Sequence, residues 1–154
     1  MLKSTREESR IKFASHTLIF QTERGPQFID ITEHVTELLE QSGLENGFVV
    51  IFSRHTTAAI RINENEPHLI SDMERMLEDA ASCEADYAHN RYGHPLDSGD
   101  LPNGHSHCQH LLLGASEHVP VAGGRMMFGQ WQRIFLVELD HAREREVVVQ
   151  LVGE

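Results

Sequence analysis

Apolar residues recur along this chain with two periods, and the periods mark its elements. From Arg10 to Gln21, Ile11, Phe13, Leu18 and Phe20 stand among polar neighbours with β-branched Thr17 and Ile19 between, which predicts a strand. A turn at Glu23-Arg24-Gly25-Pro26 leads to Phe28 and Ile29 as a hairpin partner. Ile31, Val35, Leu38 and Leu39 then share one helical face, with Asp30 or Thr32 as the cap and Gly43 placed to end the helix in a left-handed conformation. After the turn Asn46-Gly47, the continuous run Phe48-Val49-Val50-Ile51-Phe52 reads as a central strand buried on both faces. Pro67 opens a second helix on Leu69, Ile70, Met73, Met76, Leu77, Ala80 and Ala81, whose methionines are flexible core filling.

From Glu84 to His110 the hydrophobic pattern stops, and a polar, turn-rich run of this length inside a compact domain points to function. It resumes at Leu111, passes Pro120 and the turn Ala122-Gly123-Gly124 into a hairpin on Met126-Met127-Phe128, and continues after Gly129-Gln130-Trp131-Gln132 as Ile134 to Leu139. A last strand, Glu146 to Val152, sets Val147, Val149 and Leu151 on one face. Runs of strands with two to three helices between them predict a single α+β domain over residues 1–154, with a mixed, mainly antiparallel sheet.

Composition narrows the functions. Forty per cent hydrophobic and 24% charged residues suit a globular chain, and a net charge of −11 opposes nucleic acid and anionic membranes at long range. No apolar run spans a bilayer and the N-terminus lacks the apolar core of a signal peptide, so the expected setting is cytoplasmic. Cys83 and Cys108 have no paired-ligand spacing and are expected as free thiols.

The candidate chemistry clusters. Six of the eleven histidines lie between His89 and His118, and histidine is the commonest metal ligand and the side chain that titrates nearest neutrality. His105, His107 and His110 cannot all face one ion from a regular element. Three imidazoles drawn from separate segments, with an open position, would make the pattern of catalytic zinc. Asp97, Asp100 and Glu64 offer the oxygens that magnesium prefers, although Asp100 beside Pro102 also suits a turn. Thr56, Thr57, Gly114 and Ser116 could present hydroxyls and N–H groups to phosphate, while Arg143 and Arg145 could bind phosphate or pair with acids. Trp131 reads as a core or contact residue before a stacking platform.

Three separated motifs carry a resemblance. They are His55-Thr56-Thr57-Ala58-Ala59 running into Ile62-Asn63-Glu64-Asn65; Asn103 with His107, Leu112, Gly114 and Ser116; and Pro120, Gly124, Gly129, Trp131-Gln132, Glu138, Asp140, Arg143 and Arg145. Together they resemble the YjbQ-like family, with Gly104, Ser106 and Gln130 departing from its usual residues. The resemblance implies a compact α+β protomer assembled as a homotrimer, and a secondary thiamine-phosphate synthase activity that joins a pyrimidine-methyl pyrophosphate to a thiazole phosphate. On that expectation His107 and Glu64 are catalytic. Thr56, Thr57, Asn63, Gly114 and Ser116 hold a small phosphorylated metabolite, and His55, His94 and His107 hold a divalent metal, zinc or magnesium. The residues leave open a non-catalytic metal- or phosphometabolite-binding trimer and a metal-assisted phosphohydrolase.

Overall fold

The structure, a computed structural model, describes residues 11–93 and 101–154. Its strands form two antiparallel sheets. The first has the order β1(Lys12–Gln21), β8(Glu144–Gly153), β3(Asn46–Ser53), β5(Ser116–Ala122), β6(Arg125–Met126); the second is β2(Gln27–Asp30), β7(Arg133–Glu138), β4(Ala58–Asn63). Four helical segments complete the described residues: α1(Thr32–Ser42), α2(Pro67–Ala80), α3(Ala88–Tyr92) and α4(Gly104–Leu113). Every described strand pairing is antiparallel, so the α+β class holds, with two sheets in place of one. Among the described residues no helix is long and apolar enough to cross a membrane.

The two sheets face one another across the main core. Val49, Ile51, Val119, Val147, Val149 and Leu151 from the first meet Ala58, Ile60, Ile134 and Leu136 from the second, and Ile31, just before α1, with Val35 and Leu39 of α1 closes one side. A second cluster, Ala59, Leu77, Phe135, Val137 and Leu139, seals the other face of the small sheet beneath Ile70 of α2 and Leu113 of α4. The strand buried on both faces is therefore β7, fully enclosed from Ile134 to Leu139. β3 does lie at the centre of the large sheet, but it alternates: Val49 and Ile51 are buried, while Phe48 and Phe52 stay 42% and 43% exposed on the sheet's outer face.

Local sequence explains the element ends. Ile31, not Asp30 or Thr32, is the cap residue of α1 and makes no side-chain cap hydrogen bond; Asp30 Oδ1 accepts from Thr32 N at 3.0 Å just ahead of it, and Gly43, at φ 61°, ends the helix in the left-handed turn its position required. Glu66 caps α2 by accepting from the N–H groups of His68 and Leu69, with Pro67 in the first turn.

The run expected as a polar loop contains α3 and α4. α4 docks through small and polar groups: a Cβ on Gly104 would meet the Tyr87 side-chain carbons at 2.6–2.7 Å. Ser106 Oγ donates to Leu139 O at 2.6 Å, and Gln109 Nε2 donates to Leu77 O and Ala81 O at the end of α2. A helix with this buried face has no apolar stripe to read in a sequence.

Candidate functional site

β3 hands the chain to β4 through a turn, Arg54 to Thr57, closed by Ser53 Oγ donating to Ala58 O at 2.6 Å. This turn forms one wall of a cleft of about 410 Å³. α3 and α4 supply His89 and His107, Asn103 just before α4 joins them, and the entry to β8 supplies Arg143 and Arg145. Among the described residues no carboxylate lines it. The balancing acids sit behind: Glu146 holds Arg54 at 2.5 Å, Asp140 holds Arg143 at 2.8 Å, and Glu138 holds Arg145.

Arg145 is 2% exposed and nearly saturated. Its Nε donates to Glu138 Oε2 at 2.6 Å, and its Nη2 donates to Glu138 Oε1 and to Thr57 Oγ1 at 3.0 Å. Glu138 is itself fixed by Thr22 Oγ1 and by the N–H groups of Leu139 and Asp140. Among the described residues Nη1 has no partner, so this planar cation presents one uncommitted edge where the residue lines the cleft. Asp140 Oδ2 likewise accepts from Asn103 Nδ2 at 3.0 Å as well as from Arg143, fixing two further lining side chains.

His55 Nε2 accepts the N–H of Glu146 at 2.8 Å, which in the neutral ring leaves the proton on Nδ1. Burial, and next the Arg145 guanidinium, hold its pKa below the ordinary 6.5, so the ring is a neutral donor near pH 7. The His89 and His107 rings pack edge to face, 4.8 Å between centroids, where α3 meets the first turns of α4.

The structure thus gathers four of the residues expected at the site, His55, Thr56, Thr57 and His107. Thr57 turns its hydroxyl to Arg145, leaving exposed Thr56 as the hydroxyl available to a ligand. His94 lies outside the described residues, as do Asp97 and Asp100. Among the described residues no group of three His, Cys, Asp or Glu side chains could hold a metal ion; of the expected three-imidazole centre His94 lies outside them, and His55 has committed Nε2 to the Glu146 N–H.

Glu64 and Asn63 are elsewhere. The stretch from Thr57 to Glu64 contains the whole of strand β4, which puts about 23 Å between its ends at 3.3 Å per residue. Asn63 instead donates to Met73 Sδ on α2 at 3.3 Å. Gly114 and Ser116 fall at the far end of α4, away from Asn103 and His107, where Gly114 O accepts from Ile60 N and Ser116 pairs with Phe52. His89 and Arg54 line the cleft without having stood out in the sequence; the histidine-rich run was the available signal for the first, and adjacency to His55 for the second.

Burial also holds His105 and His110 below 6.5. With His55, they make the folded chain bind fewer protons than the unfolded chain just below pH 6.5, so stability falls as pH drops through that window. Asp30, Glu66 and Glu78, held below their ordinary 3.8 and 4.5, add their loss only at lower pH. Thermal midpoints should therefore decline between pH 7 and 5, and the decline should flatten in a His105→Gln, His110→Gln variant. A wild-type midpoint constant over this range would contradict the assignment.

Comparison with known proteins agrees with this architecture. The chain is 36% identical to a YbjQ-like protein of unknown function from Sulfolobus solfataricus P2, whose crystal structure superposes with a TM-score of 0.85 over 94% of this chain and 100% of that one. A hypothetical protein from Aeropyrum pernix K1 is 37% identical, with a TM-score of 0.80 over 92% and 99% of the two chains. A UPF0047 protein of Methanothermobacter thermautotrophicus is 44% identical over 137 residues, 89% of this chain and 90% of that one. The family model described as UPF0047 protein YjbQ-like matches residues 16–154, and the chain belongs to that family.

Proposed function

We propose that the cleft binds a small phosphorylated metabolite and that its reaction joins a pyrimidine-methyl pyrophosphate to a thiazole phosphate, releasing pyrophosphate and forming thiamine phosphate. The observation that carries this reading is the lining: three arginines, a neutral imidazole donor and a free hydroxyl, with the balancing carboxylates set behind them. The thiazole nitrogen forms a bond to the pyrimidine methylene as the carbon–oxygen bond breaks, and the electron pair leaves with pyrophosphate. Donors fixed before the reaction stabilise that departing charge. Arg145 Nη1, Arg143 and Thr56 hold phosphate oxygens, His55 Nδ1–H donates, and His107 moves protons on the leaving group. The start of α4 adds the positive end of its dipole. Zinc or magnesium enters this reading only beside the substrate's phosphates, as magnesium commonly does.

The protein, purified from a host lacking its own synthase, should form thiamine phosphate, and a folded His107→Ala variant should lose about 100-fold or more of the rate. No product from the wild type with metals and both substrates supplied would overturn the joining chemistry. Binding is read separately by titrating inorganic pyrophosphate, whose affinity should fall about tenfold or more in Arg143→Ala, the loss of one charge-assisted hydrogen bond. A binding protein without turnover would show the second effect and never the first. The homotrimer implied by the family finds support in the bare outer face of the large sheet, where Phe13, Ile19, Phe48 and Phe52 are exposed on β1 and β3.

A further inference from the structure

The Asn63-Glu64-Asn65 and Trp131-Gln132 motifs have no part in the anion cleft, yet they meet. At the opposite end of β4, Glu64, Asn65, Gln130 and Trp131 line a cavity of about 240 Å³ together with Asp30 and Arg133. The charges there are not equivalent. Asp30 Oδ2 accepts from Arg133 Nε at 2.7 Å and from Asn65 Nδ2 at 2.9 Å, while Oδ1 accepts from Thr32 N. Arg133 is shared with Glu33 at 3.0 Å. Glu64 is different: Asn63 Oδ1 accepts its backbone N–H, and its carboxylate has no partner among the described residues.

Trp131 is 62% exposed, and its position is built. Gln132 N donates to Gly129 O at 3.1 Å, and Gly129 N donates to Gln132 Oε1 at 2.8 Å, closing a turn from both ends and holding the indole out at its third residue. Neither hydrophobic cluster includes this side chain.

We infer that this cavity is a binding site for a small organic cation, a quaternary ammonium or a cationic heteroaromatic ring. The indole face attracts a cation with apolar substituents, and the one uncommitted carboxylate supplies the counter-charge. Amides of Asn65 and Gln130 fill the remaining rim. Arg133 is neutralised by Asp30 and Glu33, so Glu64 leaves the lining with uncompensated negative charge. The site is independent of the anion cleft, since β4 holds the two about 23 Å apart.

Trp131 is the chain's single tryptophan, so its fluorescence reports on this site alone. Titration with choline should change the emission saturably, and the neutral isostere 3,3-dimethylbutan-1-ol should not bind. Glu64→Gln should weaken choline binding about tenfold or more while leaving pyrophosphate binding unchanged. Magnetic resonance should detect choline bound to the wild type and none bound to Trp131→Leu. Equal binding of choline and its neutral isostere, or undiminished binding in Glu64→Gln, would overturn the inference. So would a change in molecular mass in Trp131→Leu with no choline binding by the wild type, which would make the indole a contact between copies.

Discussion

Replacing Glu138 by alanine should cost about 3–5 kcal/mol of folding stability, because it leaves the Arg145 guanidinium buried without its counter-charge. That is a large share of the roughly 5–15 kcal/mol that holds a domain together. Thr22 Oγ1 and the N–H groups of Leu139 and Asp140 would lose an acceptor at the same time. Urea unfolding should show a much lower midpoint with a similar slope, and a midpoint within experimental scatter of wild type would refute the account. A double variant, Glu138→Leu with Arg145→Met, should recover the part of the loss that comes from the unpaired charge, while the Asp140 N–H stays without its acceptor. It should not recover pyrophosphate affinity.

Phe135→Ala should be comparably severe, about 3–5 kcal/mol, through lost burial and the cavity left behind. Phe135 is fully buried on β7 and meets Phe28 edge to face at 5.7 Å between centroids. The sheet on either side of it is held by backbone pairing and gives little room to collapse. The same urea measurement applies, with Phe48→Ala as the contrast: Phe48 is 42% exposed on β3, and its loss should have a clearly smaller effect in the protomer. Equal losses from the two would mean that β7 is not the doubly buried strand.

The contrast between those two phenylalanines shows what could be read from the sequence. Strand β8 and helix α1 follow their hydrophobic periods closely, with Gly43 as terminator, and Pro67 opens α2 as expected. Met76, expected as core filling, is instead 56% exposed, and at β1 Ile11 and Phe13 turn outward while Leu18 and Phe20 face the core. Periodicity did not say which continuous apolar run lay between two layers, because Phe48 to Phe52 and Ile134 to Leu139 look alike until the sheets are assembled. α4 escaped because its buried positions are Gly104, Ser106 and Gln109. The candidate site was legible where residues were close in sequence, as in His55-Thr56-Thr57, or lay in the histidine-rich run, as His107 did. Glu64 lies far from Thr57 because the residues between them form the extended strand β4, a separation that closeness in sequence conceals. Arg143 and Arg145 were read as either phosphate ligands or ion-pair partners; the structure gives them paired carboxylates and cleft-lining positions together.

The polar docking of α4 bears on how firmly it is held. Ser106 and Gln109 tie the helix down by hydrogen bonds, while Leu111 and Leu112 stay exposed at 84% and 62% and contribute little burial. Segments with few buried apolar contacts open at lower free energy than the core to which they are attached. By that rule α4, which forms one wall of the cleft, is expected to detach from α2 and β7 at lower free energy than the two-sheet core unfolds.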